Sequence, residues 1–497
     1  MVLAITAAAD DPREVRADLL AVPVFKGGIE GPGAGQALDA LGLNRLPVTP
    51  DFRGDIGQHL LLAAPGLACP ALLLVGLGRM DQTDAERLRR AAGVAARAAR
   101  RVRRVATTLA QVHATGPAVE AVAEGFQLGA YQDRRYKTGE DAPSAGGEAS
   151  RLRELVVLAP SSRLREAQRA IQRAQVYARA TCAARDLVNL PPAAKRPGAL
   201  AGAIADLAAP GCQVTVHGSQ ELASAGFGGL LAVGRGSSAT PRLVELRYRP
   251  ATPLGHVVLA GKGVTFDAGG LNLRSSEDMA HAKSDMAGAA AVAAACSALD
   301  ALGVRLQVTG LLGLAENLPG ADAQRPGDIV TVHGGATVEI LDTGAGGRLI
   351  LADLLDHGAR LRPDALVDVA TLTGSAVTAL GRYAAALMGN DDDLLDSLRR
   401  AAAVAGEDVW HLPLWADLER FLDSPVADVT NAGDGGGGGA IVAGLFLKRF
   451  VGNTPWAHLD IAGPAFLPAE VARDHRGPGA TGFGVRTLLA WLERRAD

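Results

Sequence analysis

The sequence predicts an α/β protein of two domains: a smaller N-terminal α/β domain, and a larger C-terminal α/β domain with a central mixed sheet flanked by helices. Three observations predict this. Short apolar runs closed by glycine or a polar turn alternate with Ala-rich stretches of helical period along the whole chain, the pattern of largely parallel sheets with helical crossovers. At 497 residues the chain exceeds what one core ordinarily serves. Its 48% hydrophobic content supplies a core for each half.

Taken in order, ALLLV (71–75) reads as a strand, followed by a helical stretch from Asp84 to about Leu109. A second short strand, LVVL (155–158), precedes a long helix over about 163–187 that stops before Pro191 and Pro192. The polar segment YKTGEDAPSAGGEAS (136–150) reads as a surface loop near a boundary. Residues 1–165 are therefore assigned to the first domain, 166–187 to a linking helix and 188–497 to the second domain. In the second, HVVLAG (256–261), LQVTGLLGL (306–314), DALVDVATL (364–372) and WAHLDIAG (456–463) read as buried strands.

Composition narrows the function classes. The formal charge of −3 gives no global attraction to nucleic acid or acidic membrane. Cys69, Cys182, Cys212 and Cys296 show no CxxC spacing, which argues against a disulfide framework or zinc ribbon and suits a reducing cytoplasm. The opening MVLAITAAADDPREV has no basic region before its apolar run, so it does not read as a signal peptide, and no stretch has the ~20 apolar residues of a membrane span. The segment 86–105 carries eight arginines beside an apolar stripe of Leu88, Ala91, Ala95, Ala98, Val102 and Val105. A solvated outer helix face is the plainer reading, with nucleic-acid contact the less favoured one.

Two segments could carry chemistry. In GKGVTFDAGG (261–270) and KSDMAGAAAV (283–292), Lys262 ends a buried strand, Asp267 follows on a glycine-bounded loop and Asp285 opens an Ala-rich helix. On composition alone the bland assignments are favoured: Asp285 or Ser284 as an N-cap, Asp267 as a turn residue, and Lys262 as their ion-pair partner. In VEILDTGAGGRLILADLL (338–355) a strand runs through Gly344, Gly346 and Gly347 to Arg348 and a helix. That reads as a turn needing positive φ, or as an anion-binding helix start where Arg348 clamps a carboxylate, carbonate or phosphate. GDGGGGGA (433–440) lacks the GK[ST] of a P-loop, GLGRMD (76–81) lacks the third glycine of a dinucleotide fingerprint, and neither HExxH nor G-x-S-x-G is present.

Together these pieces, with ARDLVNLPP (184–192), ENLPG (316–320), RPGD (325–328), ATLTG (370–374), VADVTNAG (426–433) and TGFGVR (481–486), resemble the leucine aminopeptidase family, cytosolic two-metal hexameric peptidases. The resemblance implies that Lys262, Asp267 and Asp285 occupy three of five positions holding two metals, commonly zinc or manganese. The other two belong to a loop reading N-T-D-A-E-G-R in the family, and here both carboxylates are glycine, Gly344 and Gly346. Arg274 stands where the family has a lysine that polarises the scissile carbonyl, and Ser275 where proline is usual. Arg348 matches the arginine thought to hold a bicarbonate proton shuttle. Ala282 replaces a methionine that often lines the side-chain pocket. The expectation is a cytoplasmic homo-hexamer with Arg348 and Arg274 in the catalytic positions and at most one divalent metal, zinc or manganese, at reduced affinity. Its peptidase activity is expected to be weak or lost; the alternative is a non-catalytic scaffold or DNA-binding homologue.

Overall fold

The computed structural model describes residues 3–43, 45–46, 48–138, 151–433 and 437–496. It divides into two compact units: 1–182 with 468–478, and 183–467 with 479–497. The first carries a sheet in the order Ala4–Ala8, Glu154–Leu158, Arg104–Thr107, Leu19–Phe25, Ala71–Gly78, His59–Ala63; all neighbours are parallel except the last pair. Every residue of the central strand Leu19–Phe25 is buried, as expected where both faces of a parallel strand are covered.

The expected helix over 84–109 ends earlier, at Ala98, and Arg104–Thr107 is a strand. Val105 therefore belongs to the sheet core, not to a helix stripe. The arginines are not simply an outer face either. Arg89 is buried and pairs with Glu86 at 2.5 Å and Glu124 at 3.1 Å, and Arg90 pairs with Asp474 at 2.6 Å. Close packing of Ala85–Ala98 on Gly116–Ala130 draws Arg89 inward: a Cβ on Gly125 would lie 2.1 Å from the Arg89 carbonyl oxygen. Most of the expected surface loop 136–150 lies outside the described residues.

The long helix spans Leu164–Asn189, and the division between units falls inside it rather than at its ends. The second unit is built on an eight-stranded mixed sheet in the order Asp408–His411, Ala384–Gly389, Trp456–Asp460, Ala365–Ala370, His256–Asp267, Gln307–Asn317, Arg242–Tyr248, Cys212–His217. Its middle four strands run parallel to their neighbours among them. His256–Asp267 and Gln307–Asn317 are longer than their apolar runs suggested, twelve and eleven residues, so Asp267 is a strand residue and not a loop residue. The helices Gly346–Arg360 and Gly439–Lys448 pack over one apolar cluster with Val258, Ala260 and Leu366. No described helix is long and apolar enough to cross a membrane. Cys69, Cys212 and Cys296 are buried thiols outside any disulfide.

Candidate metal centre

Parallel strands gather ligand-binding groups at their carboxyl ends, and the candidate residues lie there. Lys262 does not end its strand as expected but lies in its middle, just past the last residue paired with Ala365–Ala370. Asp267 ends His256–Asp267, Asn317 ends Gln307–Asn317, Thr371 and Thr373 follow Ala365–Ala370, and Asp460 ends Trp456–Asp460. Glycines set the spacing. A Cβ on Gly261 would lie 2.7 Å from Ala289 Cα, and one on Gly288 2.0 Å from the Val369 carbonyl oxygen. The Ala-rich helix Ala287–Ala298 thus lies flush against the sheet, which brings Asp285, just before it, to the end of the Lys262 strand. Lys262 points to the opposite face, against Gly347, where a Cβ would meet its Cε at 2.3 Å.

Two internal ion pairs result. The Lys262 ammonium donates to Asp285 Oδ1 at 2.7 Å and to the Thr371 carbonyl at 2.5 Å. Thr371 Oγ1 donates to the same carboxylate oxygen at 2.7 Å. Asp285 Oδ2 is buried with no partner, and burial raises this carboxyl above the usual carboxylate range despite the Lys262 charge beside it. Neither Asp285 nor Ser284 caps the helix: Met286 is the N-cap, and Asp285 follows a short 3₁₀ turn, Ala282–Ser284.

Asp267 is held by a different cation. Arg274 Nε donates to its Oδ2 at 3.0 Å and Nη2 to the same oxygen. Asp267 Oδ1 accepts from Gly269 N at 3.0 Å and from Asn317 Nδ2 at 2.8 Å. Asn317 also donates to the Thr343 carbonyl at 3.0 Å, which ties this carboxylate to the 342–348 loop. The roles of Asn317 and Thr371 were not read from the sequence. Both sit in quoted motifs, ENLPG and ATLTG, but a polar residue after a strand names no partner by itself.

The loop 342–348 needs no positive φ at Gly344, Gly346 or Gly347, contrary to the turn reading. A Cβ at Gly344 would meet only the Asp342 carboxylate, at 3.1 Å; at Gly346 it would press on Val233 Cγ2 at 3.0 Å. Only Gly347 is required by its surroundings, and those surroundings are Lys262. Arg348 opens the helix Gly346–Arg360, its guanidinium 6.0 Å over the Phe446 ring and its buried Nε without a partner. Burial lowers its pKa to about 10, against the pull of Asp342 and Asp460. It borders a cleft of about 270 Å³ also lined by Asp342, Ser375, Phe421, Gly433 and Gly439. Residues 434–436 of the glycine run lie outside the described residues.

Lys262–Asp285 and Asp267–Arg274 are thus two neighbouring ion pairs that feel each other's charge without sharing a hydrogen-bond partner, with Arg348 beside the cleft at the start of the helix Gly346–Arg360. Among the described residues no group of three or more His, Cys, Asp or Glu is placed to hold a metal. The two carboxylates and one lysine present do not fit a pair of divalent ions.

This α/β scaffold, with its lysine–aspartate cluster at the carboxyl ends of parallel strands, is that of a metallopeptidase family. The chain belongs to the cytosol aminopeptidase family: the model of the family's catalytic domain matches residues 182–489 and that of its N-terminal domain residues 21–140. A probable cytosol aminopeptidase of Streptomyces griseus subsp. griseus is 43% identical, covering 97% of this chain and 96% of its own. One of Geobacter sp. (strain M21) is 42% identical over 91% of this chain and 92% of its own. Among solved structures, the bottromycin maturation enzyme BotP in complex with Mn matches with a TM-score of 0.84 at 38% identity, covering 97% of this chain and 100% of that one. A mutant of tomato leucine aminopeptidase matches with a TM-score of 0.86 at 30% identity, covering 99% and 97%.

Proposed function

We propose that this member of the cytosol aminopeptidase family has weak or no conventional activity in removing N-terminal residues from peptides. The observation that carries the reading is the pair Gly344 and Gly346, where the resemblance places two metal-binding carboxylates. When bound, a pair of divalent metals supplies Lewis acidity and an activated water. This chain offers Lys262, Asp267 and Asp285 toward it, and one divalent ion, zinc or manganese, held at reduced affinity, is the most they accommodate. Arg274 places positive charge where the family lysine would polarise a carbonyl, but as a planar fork and not a point charge. Arg348, with its unpartnered Nε beside the cleft, suits bicarbonate or another anion.

A homo-hexamer and a cytoplasmic location are proposed on the family resemblance. A peptide would be the substrate of whatever activity persists. A non-catalytic scaffold is the second reading, supported by the same two glycines. A DNA-binding role gains little from the arginine-rich segment, since Arg89 and Arg90 are taken up in pairs within their own unit.

Turnover of leucine anilide with added Zn²⁺ or Mn²⁺ tests the reading. Losing even one preorganised electrostatic contact costs ~10²–10³ in rate, so turnover at least ~10³ below that of a cytosol aminopeptidase relative is expected. Robust turnover abolished by a chelator overturns the proposal. The combined variant Gly344→Asp, Gly346→Glu, Arg274→Lys is expected to raise metal-dependent turnover, because Lys262, Asp267, Asp285 and Arg348 keep the residue types that the resemblance implies.

A further inference from the structure

A buried amine brackets Asp285. Lys195 lies in the link between the long helix Leu164–Asn189 and the helix Pro197–Leu207, and its side chain is fully buried. Its Nζ donates to the Val188 carbonyl at 2.5 Å and to the Lys283 carbonyl at 2.6 Å, and Met286 Sδ lies 3.6 Å away. Lys283 precedes Asp285 by two residues and Met286 follows it directly, so one amine holds the chain on both sides of that aspartate. The backbone of Asp285 has little else to fix it: its own N–H reaches the Ala282 carbonyl at 3.4 Å, a long and weak bond.

The fastening is made to the end of the long helix. The last carbonyls of a helix have no partner within it, and that end favours positive charge. Pro191 and Pro192, just beyond, have no N–H groups to give. Two lysine side chains supply them instead: Lys195 Nζ to the Val188 carbonyl, and Lys283 Nζ to the Asn189 carbonyl at 3.2 Å. The turn Ala282–Ser284 is thereby sewn to the helix from both directions, since Lys195 takes a carbonyl of the turn and the turn's own lysine reaches back. No carboxylate is among the groups that act on Lys195; burial first, and the Lys283 charge second, lower its pKa from 10.5 to about 7. Either form serves, because a neutral amine keeps two N–H groups, one for each carbonyl. A methionine would fill the space without burying a charge, but would leave both carbonyls unpaired. This place needs N–H groups and not bulk.

We propose that Lys195 is the positioning residue for Asp285: its buried amine fastens the chain on both sides of that aspartate to the end of the long helix, and so holds the carboxylate within reach of Lys262. Lys195 is none of the positions that the family resemblance marks, and the role holds whether or not turnover survives.

Amide hydrogen exchange read by mass spectrometry on the full chain tests this, for wild type, Lys195→Met, Lys283→Met and Lys195→Ala, each checked for fold by circular dichroism. Lys195→Met should exchange at least about tenfold faster over 282–290, as expected for the loss of one or two hydrogen bonds, with the strand Leu19–Phe25 unchanged. Lys283→Met keeps the carbonyl that Lys195 binds and should change exchange there by less than about threefold. Lys195→Ala is measured with millimolar propylammonium, which reproduces the missing side chain, and with 1-propanol, which matches its bulk. Propylammonium alone should return exchange to within about threefold of wild type, and a variant that folds only in its presence gives the same answer. In a crystal structure of Lys195→Met the Lys262 Nζ to Asp285 Oδ1 separation, 2.7 Å in the native chain, should open beyond about 3.5 Å. Unchanged exchange over 282–290 in Lys195→Met, an equal effect from Lys283→Met, or an intact Lys262–Asp285 bond would overturn the proposal. So would rescue by propanol as well as by propylammonium, or rescue by neither.

Discussion

Gly347 shows how one missing Cβ fixes the position of a charge. The Lys262 side chain crosses the face of Gly347, with Cε 2.3 Å and Nζ 2.8 Å from where a Cβ would stand. Alanine in a helix gains roughly 0.5–1 kcal/mol over glycine, whereas overpacking a fitted interior costs roughly 1–3 kcal/mol. Strain wins, and Gly347→Ala is expected to lower stability by about 1–2 kcal/mol in denaturant unfolding. Gly344→Ala, facing only the Asp342 carboxylate at 3.1 Å, is expected to change it by less than about 0.5 kcal/mol. The penalty at 347 belongs to Lys262, so it should vanish in a Lys262→Ala background. A penalty that persists there would show that the clash lies elsewhere. Lys262, Asp267, Asp285 and Arg348 stood out in the sequence as charged groups beside buried strands and glycine-rich turns, but composition alone favoured an ion-pair partner, a turn residue and an N-cap for the first three, and the metal roles came from the family resemblance. Their pairings were not legible: Asp267 chose Arg274, through a left-handed turn at Gly269 that no local pattern announces.

At the scale of elements, the helix Gly346–Arg360 carries Arg348 at one end and is anchored at its middle by Asp353. Asp353 is fully buried and accepts from Leu230 N and His333 N, each at 2.7 Å. The two N–H donors favour the charged form, burial opposes it, and burial is the larger effect: the pKa rises from 3.8 to about 7. The folded chain therefore keeps this proton between about pH 4 and pH 7, while an unfolded chain has lost it. Stability from this group is present at the acid end and falls as the pH rises through that window. Asp353→Asn cannot titrate, and its amide sets a donor against a backbone donor, so the variant is less stable throughout. The gap to wild type is expected to narrow by on the order of 1 kcal/mol or more from pH 4 to pH 8. A gap that stays constant or widens in denaturant titrations would refute the shift. The strand His256–Asp267 was found from its apolar run HVVLAG, but that run marked only its first half, because the second half carries glycine, lysine and threonine. The helix expected over 84–109 overran because Arg-Val-Arg-Arg-Val suits either period; sheet pairing with Leu19–Phe25 and Glu154–Leu158 decided for strand.

For the whole molecule, length and alternating pattern sufficed for two α/β units. The return of 468–478 to the first unit was hidden, because PAEVARDHRGP is polar and its attachment runs through contacts such as Arg90 with Asp474. That attachment bears on the nucleic-acid alternative. Arg103 and Arg104 approach Glu154 at 4.0 and 3.6 Å, Arg89 is buried, and Arg90 is paired, so the eight arginines do not act as eight free charges. With a formal charge of −3 on the chain, long-range attraction to a polyanion is weak. Neutralising several phosphates would produce a loss of about 10³–10⁵ in affinity between 50 and 200 mM salt. We expect no duplex binding with such a slope in fluorescence anisotropy. Binding that falls steeply with salt and disappears when Arg97, Arg101 and Arg104 are replaced together would establish the arginine-rich segment as a nucleic-acid surface. Steep binding that survives those replacements would place the contact on another face of the molecule, and either result would require a function outside the peptidase site.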